Sequence, residues 1–248
     1  MGVKRLVFIH GFLETASMWK PILPHLSKSA YALQLPELPG HGNNSFIPEE
    51  KTAEAYCKNL IDQLSLSDDH SLFIVAHSMG GYLSATLATM IPNQISGLCF
   101  FHSKAGADSE QKIQDRKNAI EAAKGNKNLY IRTMITNIFF ENNREHCKEE
   151  IEKQIIEAQG LSIEAITSAQ QVMINRKDRV QDLRNRNFPL YYFLGDKDTS
   201  IPLDVALKEI EQLPGAVAHI SQNTGHMGHI ENRRDAVEFL QRIMRADI

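Results

Sequence analysis

The stretch Phe73-Ile-Val-Ala-His-Ser78-Met-Gly-Gly81 decides how this 248-residue chain folds. Its apolar run up to His77 predicts a buried strand that ends at this histidine. Ser78 then occupies a sharp turn, and a helix is predicted to begin at Met79. Such a turn holds the serine in a strained backbone conformation and directs its hydroxyl out of the carboxyl edge of the sheet. A serine presented there, at the positively polarised start of a helix, indicates a nucleophile.

The residues two positions either side of Ser78 must be small, because strand and helix approach closely at such a turn. Ala76 and Gly80 meet this requirement, although alanine stands where the usual Gly-x-Ser-x-Gly pattern has glycine. A serine at a helix start can also be an ordinary N-cap. The buried strand before Ser78 and the two glycines after Met79 favour the nucleophile over that alternative.

Short apolar runs alternate with segments of helical period on both sides of this stretch. Predicted strands occupy residues 5–10, 30–35, 72–77, 98–102, 190–195 and 217–221. Predicted helices occupy residues 18–26, 53–66, 80–91, 203–213 and 235–245. Most strand candidates are continuous apolar runs, as in parallel sheets that are covered on both faces. The alternation predicts an open, doubly wound α/β sheet, mostly parallel and flanked by helices.

Residues 107–187 interrupt the alternation with a long segment that has helical texture and no convincing strand. Its clearest helical pieces are residues 111–124, 144–159 and 163–172. No flexible linker bounds the segment, which favours an excursion packed over one end of the sheet over an independent helical domain. We therefore expect a core formed by residues 1–106 and 188–248, with residues 107–187 inserted into it.

Composition excludes several other classes of protein. The net charge is −3, from 27 basic and 30 acidic residues, which provides no global field for nucleic acid or an anionic membrane. No run approaches the roughly 18 apolar residues of a membrane span, and the first apolar run is too short for a signal peptide. Cys57, Cys99 and Cys147 fit no disulfide framework or zinc motif, and they suit a reducing compartment. We expect a cytoplasmic protein without a nucleic-acid or membrane partner.

Two further motifs follow the first two predicted strands, namely His10-Gly11-Phe12-Leu13 and Pro39-Gly40-His41-Gly42. With the turn at Ser78, they resemble the α/β-hydrolase family. The resemblance implies that the backbone N–H groups of Phe12 and Met79 hold a substrate oxyanion, and that His41 is structural. Many members carry two additional strands before the His-Gly strand. Because no room remains for them here, we expect six strands rather than eight.

In this family an acid and a histidine follow the nucleophile in chain order. The run Leu194-Gly-Asp-Lys-Asp-Thr-Ser-Ile-Pro202 resembles the acid motif and places the carboxylate on Asp198, with Asp196 as a turn-stabilising alternative. The run Thr224-Gly-His-Met-Gly-His-Ile-Glu231 resembles the histidine motif and identifies His226 as the base. His229 is expected to pack or to cap the final helix. A His-x-x-His pair also suggests a metal site, but no further ligand cluster accompanies it, so no metal or cofactor is expected.

The resemblance implies a serine hydrolase that cleaves ester-type bonds of small, water-soluble molecules through an acyl-enzyme on Ser78. Residues 107–187 would then be a helical cap that roofs the pocket and selects the substrate. Two alternatives remain open. One is a lyase of the same fold, of the menaquinone-pathway or hydroxynitrile-lyase type. The other is a small-molecule receptor that retains a hydrolase pocket. The motifs determine neither the physiological substrate nor the oligomeric state.

Overall fold

Six parallel strands form a single sheet in the computed structural model, which describes residues 4–26, 31–67 and 69–246. The strands are β1 (Lys4–Ile9), β2 (Ala32–Gln34), β3 (Ser71–His77), β4 (Ile95–Phe101), β5 (Leu190–Gly195) and β6 (Val217–Ser221). Their order across the sheet is β2-β1-β3-β4-β5-β6. The predicted six-stranded α/β architecture is confirmed. Of the predicted second strand, Ala30 lies outside the described residues.

The strand order creates a crevice at the carboxyl ends of β1 and β3. From β1 the chain passes to β2 on one side of β1, and it then crosses back to β3 on the other side. The connection after β3 continues away from β1 to β4, so the connections after β1 and β3 diverge. In open α/β sheets such a switch point is where ligands bind. The parallel register aligns Ile9 with Ala76 and Phe101 with His77, which brings the residues that follow these three strands to one edge.

Ten α-helices accompany the sheet within the described residues. They are α1 (Ala53–Leu64), α2 (Met79–Met90), α3 (Glu110–Gly125), α4 (Lys127–Ile138), α5 (Lys148–Gln159), α6 (Ile163–Asn175), α7 (Val180–Arg184), α8 (Leu203–Ile210), α9 (Gly228–Glu231) and α10 (Arg233–Ala246). Each helix among these residues is too short or too polar to span a bilayer.

The core explains why the central strands read as continuous apolar runs. Along β3, Phe73 and Val75 pack into the apolar layer that contains α10. Leu72 and Ile74 pack into the opposite layer with α1 and α2. Both faces of the strand are therefore buried, and every position needs an apolar side chain.

The predicted helix over residues 18–26 is wrong. The structure has two short 3₁₀ helices there, Ala16–Trp19 and Leu23–His25. Pro21 and Pro24 lack backbone N–H groups and clash with the preceding turn, so a continuous α-helix cannot form through them.

Five helices, α3 to α7, lie within the segment 107–187. Two of the predicted pieces match α3 and α6. The third begins later than expected, at Lys148, and α4 was not predicted. Apolar side chains of α3 to α6 form a third cluster that also contains Leu13 and Met227, which belong to the loops after β1 and β6.

Candidate active site

Ser78 directly follows β3 in a backbone conformation that few residues adopt. Its φ is 47° and its ψ is −116°, which is strained for a residue with a side chain. The turn is held by β4 and the residues after it: the Ser78 N–H donates to the Phe101 carbonyl at 3.1 Å, and the Ser103 hydroxyl donates to the Ser78 carbonyl at 2.7 Å. The sequence prediction of a sharp strand–serine–helix turn thus matches the geometry.

Close packing beneath this turn explains the requirement for a glycine after it. A Cβ atom at Gly80 would lie 2.5 Å from the His10 carbonyl oxygen and 2.9 Å from the Ile9 carbonyl oxygen. Both contacts are with backbone, which cannot move aside cheaply. Any side chain at residue 80 would therefore force the start of α2 away from the carboxyl end of β1.

Asp198 lies in the loop after β5 and is buried among four hydrogen-bond donors. Its Oδ1 accepts from the N–H groups of Ser200 and Ile201 at 2.8 and 2.9 Å. Its Oδ2 accepts from Nδ1 of His226 at 2.7 Å and from Nδ1 of His102 at 3.0 Å. Burial alone would raise the pKa of Asp198, but the charge of His226 and the two imidazole hydrogen bonds hold that pKa well below its usual range.

The structure brings His226 and Asp198 into direct contact, whereas Asp196 accepts a hydrogen bond from the Thr224 N–H at 3.1 Å. Ser78 and His226 line the same cavity. Within the described residues, the Ser78 hydroxyl makes no hydrogen bond. The predicted acid and base therefore meet in this structure, and Ser78 lines the cavity with His226 without a direct hydrogen bond to it.

His102 is a site residue that the sequence analysis missed. It directly follows β4, has a φ of 49° and is fully buried beside Asp198. Burial is the main reason why its pKa falls to about 4, so the imidazole is neutral at pH 7 and donates through Nδ1. The available signal was its place: His102 ends a predicted strand whose carboxyl end lies at the same edge as Ser78.

Glu14 and His77 form a second buried pair that joins two loops of the site. Glu14 Oε2 accepts from the Gly11 N–H at 2.5 Å and from His77 Nδ1 at 2.9 Å, while His77 Nε2 donates to the His226 carbonyl at 2.9 Å. Both partners of His77 can only accept, so its ring carries two protons. Burial opposes this charge, but Glu14 outweighs burial and raises the pKa of His77. The charge of His77 lowers the pKa of Glu14 to about 2 against the opposing effect of burial.

The two residues predicted to donate to an oxyanion lie in the loop after β1 and at the start of α2. Phe12 lines the cavity, and Met79 is the first residue of α2. An N–H in the first turn of a helix has no intrahelical partner. Among the described residues, the Phe12 N–H also makes no hydrogen bond. Both N–H groups are therefore available to an acceptor.

The cavity above Ser78 is shared by the core and the segment 107–187. The core contributes residues from the loops after β1, β3, β5 and β6 and from α2: Phe12, Leu13, Glu14, Ser78, Tyr82, Ser200 and His226. The inserted segment contributes Lys112, Arg116, Met134, Ile135, Ile138 and Met173. The cavity therefore joins apolar side chains of the inserted segment to the polar groups around Ser78, as in sites that bind small molecules.

His41 and His229, which also belong to the sequence motifs, are buried outside the cavity lining. His41 has its Nδ1 at 2.9 Å from the Pro39 carbonyl, within its own loop. His229 belongs to α9 instead of the final helix, and neither of its ring nitrogens has a partner among the described residues.

One group of three side chains in the described part of the chain could supply metal ligands, namely His102, Asp198 and His226. The Nδ1 atoms of both imidazoles donate to one oxygen of Asp198, at 3.0 and 2.7 Å. Hydrogen bonds therefore account for the arrangement without an ion.

The buried histidines predict that the protein loses stability as the pH falls from about 6.5 to 4. Burial lowers the pKa to about 4 for His41 and His102 and to about 3 for His229. In this range the unfolded chain binds more protons than the folded chain, so the free energy of unfolding falls by up to about 1.4 kcal/mol per pH unit for each histidine. Urea unfolding at several pH values measures the slope. The effect of His77 has the opposite sign: its folded-state pKa is raised, so near pH 6.5 the folded chain binds more of this proton, and at lower pH both states are protonated.

The variant His229→Leu supplies the control for this prediction. It removes one of the three groups, so the free energy of unfolding should fall less steeply on acidification than in the wild type. The difference in slope should correspond to about one bound proton. Equal slopes in the two proteins, or a wild type that gains stability on acidification, would contradict the prediction.

Comparison with known proteins is consistent with this geometry. The family model of the alpha/beta hydrolase fold matches residues 4–233. A curated relative from Salmonella arizonae, 2-succinyl-6-hydroxy-2,4-cyclohexadiene-1-carboxylate synthase, is 25% identical and covers 98% of this chain and 95% of its own length. Methylesterase 4 of Arabidopsis thaliana is 33% identical over 100 residues, which are 39% of this chain and 38% of that protein.

Among solved structures, a thermophilic esterase from Thermogutta terrifontis superimposes with a TM-score of 0.88 and 22% identity, covering 100% of this chain and 91% of the esterase. At that identity the likeness establishes the fold alone. The family model, in contrast, extends over most of the sequence and includes the turn at Ser78. This chain therefore belongs to the α/β-hydrolase fold family and is an enzyme of that fold.

Proposed function

We propose that the enzyme is a serine hydrolase that cleaves ester bonds of small molecules through an acyl-enzyme on Ser78. The observation that carries the proposal is the 2.7 Å hydrogen bond between His226 Nδ1 and Asp198 Oδ2, at a cavity that Ser78 also lines. An ionised carboxylate can only accept, so His226 keeps its proton on Nδ1. Its Nε2 then has a free lone pair, which a general base requires.

In the proposed reaction, Ser78 Oγ attacks the ester carbonyl carbon while its proton passes to His226 Nε2. The N–H groups of Phe12 and Met79 stabilise the oxyanion of the tetrahedral intermediate. His226 returns the proton to the departing alcohol, which leaves an ester on Ser78. A water molecule, deprotonated by His226, then releases the acid and restores the serine. The contact between Ser78 and His226 is expected to tighten when substrate fills the cavity, as is common for catalytic hydrogen bonds.

Glu14 and His77 act as positioning residues in this scheme. Their ion pair ties the Gly11 N–H, next to the Phe12 donor, to the backbone of His226. Their opposite charges compensate each other within the protein. The pair therefore fixes the spacing between the oxyanion donors and the base without adding net charge to the site.

We further propose that residues 107–187 form a cap over a core of residues 1–106 and 188–248. Six side chains of the segment line the cavity with Ser78, and α3 to α6 pack on the loops after β1 and β6 through Leu13 and Met227. A cavity closed on one side by six side chains of the segment favours small substrates over long acyl chains. The three cysteines are buried and unpaired, which supports the proposal of a cytoplasmic location.

A lyase of the same fold is the second candidate, because the Salmonella arizonae relative, which is named as a synthase, aligns over 98% of this chain. In a lyase the same three residues would abstract a substrate proton and form no acyl-enzyme.

Mass spectrometry during turnover of an activated ester distinguishes the two candidates. For the hydrolase we expect the intact mass to rise by one acyl group and peptide mapping to place that group on Ser78. Ser200 supplies a matched control, because its hydroxyl lines the same cavity and the variant Ser200→Ala should still be acylated. Turnover without any acylated serine would reject the acyl-enzyme.

A further inference from the structure

Two cationic side chains of α3, one turn apart, line the cavity together with Ser78. They are Lys112 and Arg116. The Lys112 ammonium makes no hydrogen bond or ion pair with the described residues, although burial lowers its pKa. Arg116 donates through Nε to Asp108 at 2.5 Å and through Nη1 to Gln170 at 3.2 Å. Its Nη2 has no partner among the described residues.

The hydrogen-bonded charges on this side of the cavity are not paired one to one. The single carboxylate of Asp108 is shared by Arg116 and by Arg176, whose Nη2 donates to Asp108 at 2.7 Å. The guanidinium of Arg176 lies 3.8 Å from the ring centre of Tyr82, which is another lining residue. Two guanidinium groups thus face one carboxylate, and the Lys112 ammonium adds a further positive charge.

None of the described carboxylates near Lys112 contacts its ammonium. Asp108 binds the two guanidinium groups, and Asp115 accepts from the Gln111 amide at 2.9 Å. Asp198 is engaged by four donors, including both imidazoles, and Glu14 is paired with the imidazolium of His77. A cation that is partly removed from water without a counter-ion costs free energy, and an anion placed beside it recovers that energy. The cavity is therefore preorganised for a negative ligand.

On the basis of the proposed ester chemistry, we propose that the substrate carries a carboxylate that Lys112 and Arg116 bind while its ester carbonyl lies at Ser78. The free donors are the Lys112 ammonium and one Arg116 nitrogen, which suit the two oxygens of a carboxylate better than the three of a phosphate. The rest of the cap lining is methionine and isoleucine, which fits a short aliphatic spacer. The substrate class is thus a small half-ester of a dicarboxylic acid, or an ester of a hydroxy acid.

Matched pairs of esters test this proposal. The first pair is monoethyl adipate and its uncharged amide, ethyl adipamate, in which the acyl half differs only in charge. The second pair is the butyrate esters of glycolic acid and of glycolamide, in which the alcohol half differs. In at least one pair we expect kcat/KM of the acid to exceed that of the amide by about 10-fold or more.

Variants of α3 then test whether Lys112 causes the preference for the acid over the amide. Lys112→Met should reduce the acid-to-amide ratio towards one, and Lys112→Glu should invert it. Lys117 lies on the same helix and is exposed, so Lys117→Met should leave the ratio unchanged. A wild-type ratio near one in both pairs, with turnover that depends on Ser78, would overturn the carboxylate proposal and leave the hydrolase standing.

Binding provides a measurement that does not depend on turnover. Calorimetry of adipate with Ser78→Ala should give an affinity that Lys112→Met, added to that variant, weakens by about 10-fold. If no ester is cleaved but adipate binds in this manner, the hydrolase proposal fails and the anion site stands. If adipate does not bind, or binds equally to both proteins, the anion site is rejected.

Discussion

Replacing Ser78 with alanine should lower kcat/KM for an activated ester by about 10⁴-fold or more, because no other group can form the proposed acyl-enzyme. The remaining rate over water would come from the oxyanion donors and substrate binding. The fold should not change, since the Ser78 hydroxyl makes no hydrogen bond within the described residues. The positive φ at residue 78 is about as unfavourable for alanine as for serine. We expect the free energy of unfolding to stay within about 0.5 kcal/mol of the wild type.

Initial rates of ester hydrolysis and a urea unfolding curve measure the two effects. Ser200→Ala is the matched control, because it removes a hydroxyl from the same cavity and should retain most of the activity. A Ser78→Ala variant with activity within 10-fold of the wild type would refute the nucleophile. A wild type that binds small molecules without cleaving any ester would instead favour the receptor alternative.

The architecture could be predicted from the sequence because buried parallel strands produce continuous apolar runs. Each central strand is apolar on both faces, so runs such as Phe73–Val75 are visible without a structure. The turn at Ser78 is equally visible, since the close approach of residue 80 to the β1 backbone tolerates only glycine there. The helix over residues 18–26 was predicted wrongly because its apolar spacing outweighed the effect of two prolines.

Contacts between distant parts of the chain could not be predicted in this way. His102 meets Asp198 across 96 positions of sequence, and Glu14 meets His77 across 63. Each of these residues looks ordinary within its own segment. Lys112 lies in a predicted helical piece in which no local signal distinguishes it, and only the placement of α3 over the sheet brings this lysine to the cavity of Ser78. Local motifs therefore identified the groups proposed for bond making, whereas their partners became visible only in the folded chain.

Asp198→Asn should lower kcat by about 10³- to 10⁴-fold, through the tautomer of His226. The four donors around Asp198 require four acceptor positions, which an amide cannot supply. If the amide oxygen stays on the N–H groups of Ser200 and Ile201, the amide nitrogen faces His226 and donates to Nδ1. The His226 proton must then move to Nε2, where it blocks removal of the Ser78 proton. If the amide is reversed, two buried N–H groups lose their acceptor.

His102 provides the comparison that separates tautomer control from general loss of support. His102→Asn removes one of the two imidazole donors to Asp198, suits the positive φ at residue 102, and leaves the hydrogen bond from His226 in place. We therefore expect kcat to fall only by about 10-fold, with KM unchanged, since His102 does not line the cavity. Proton NMR of the imidazole N–H region should show the Nδ1 proton of His226 in the His102 variant and its loss in Asp198→Asn. Equal rate losses in the two variants, with the Nδ1 proton retained in both, would show that Asp198 acts by packing and not by orienting the base.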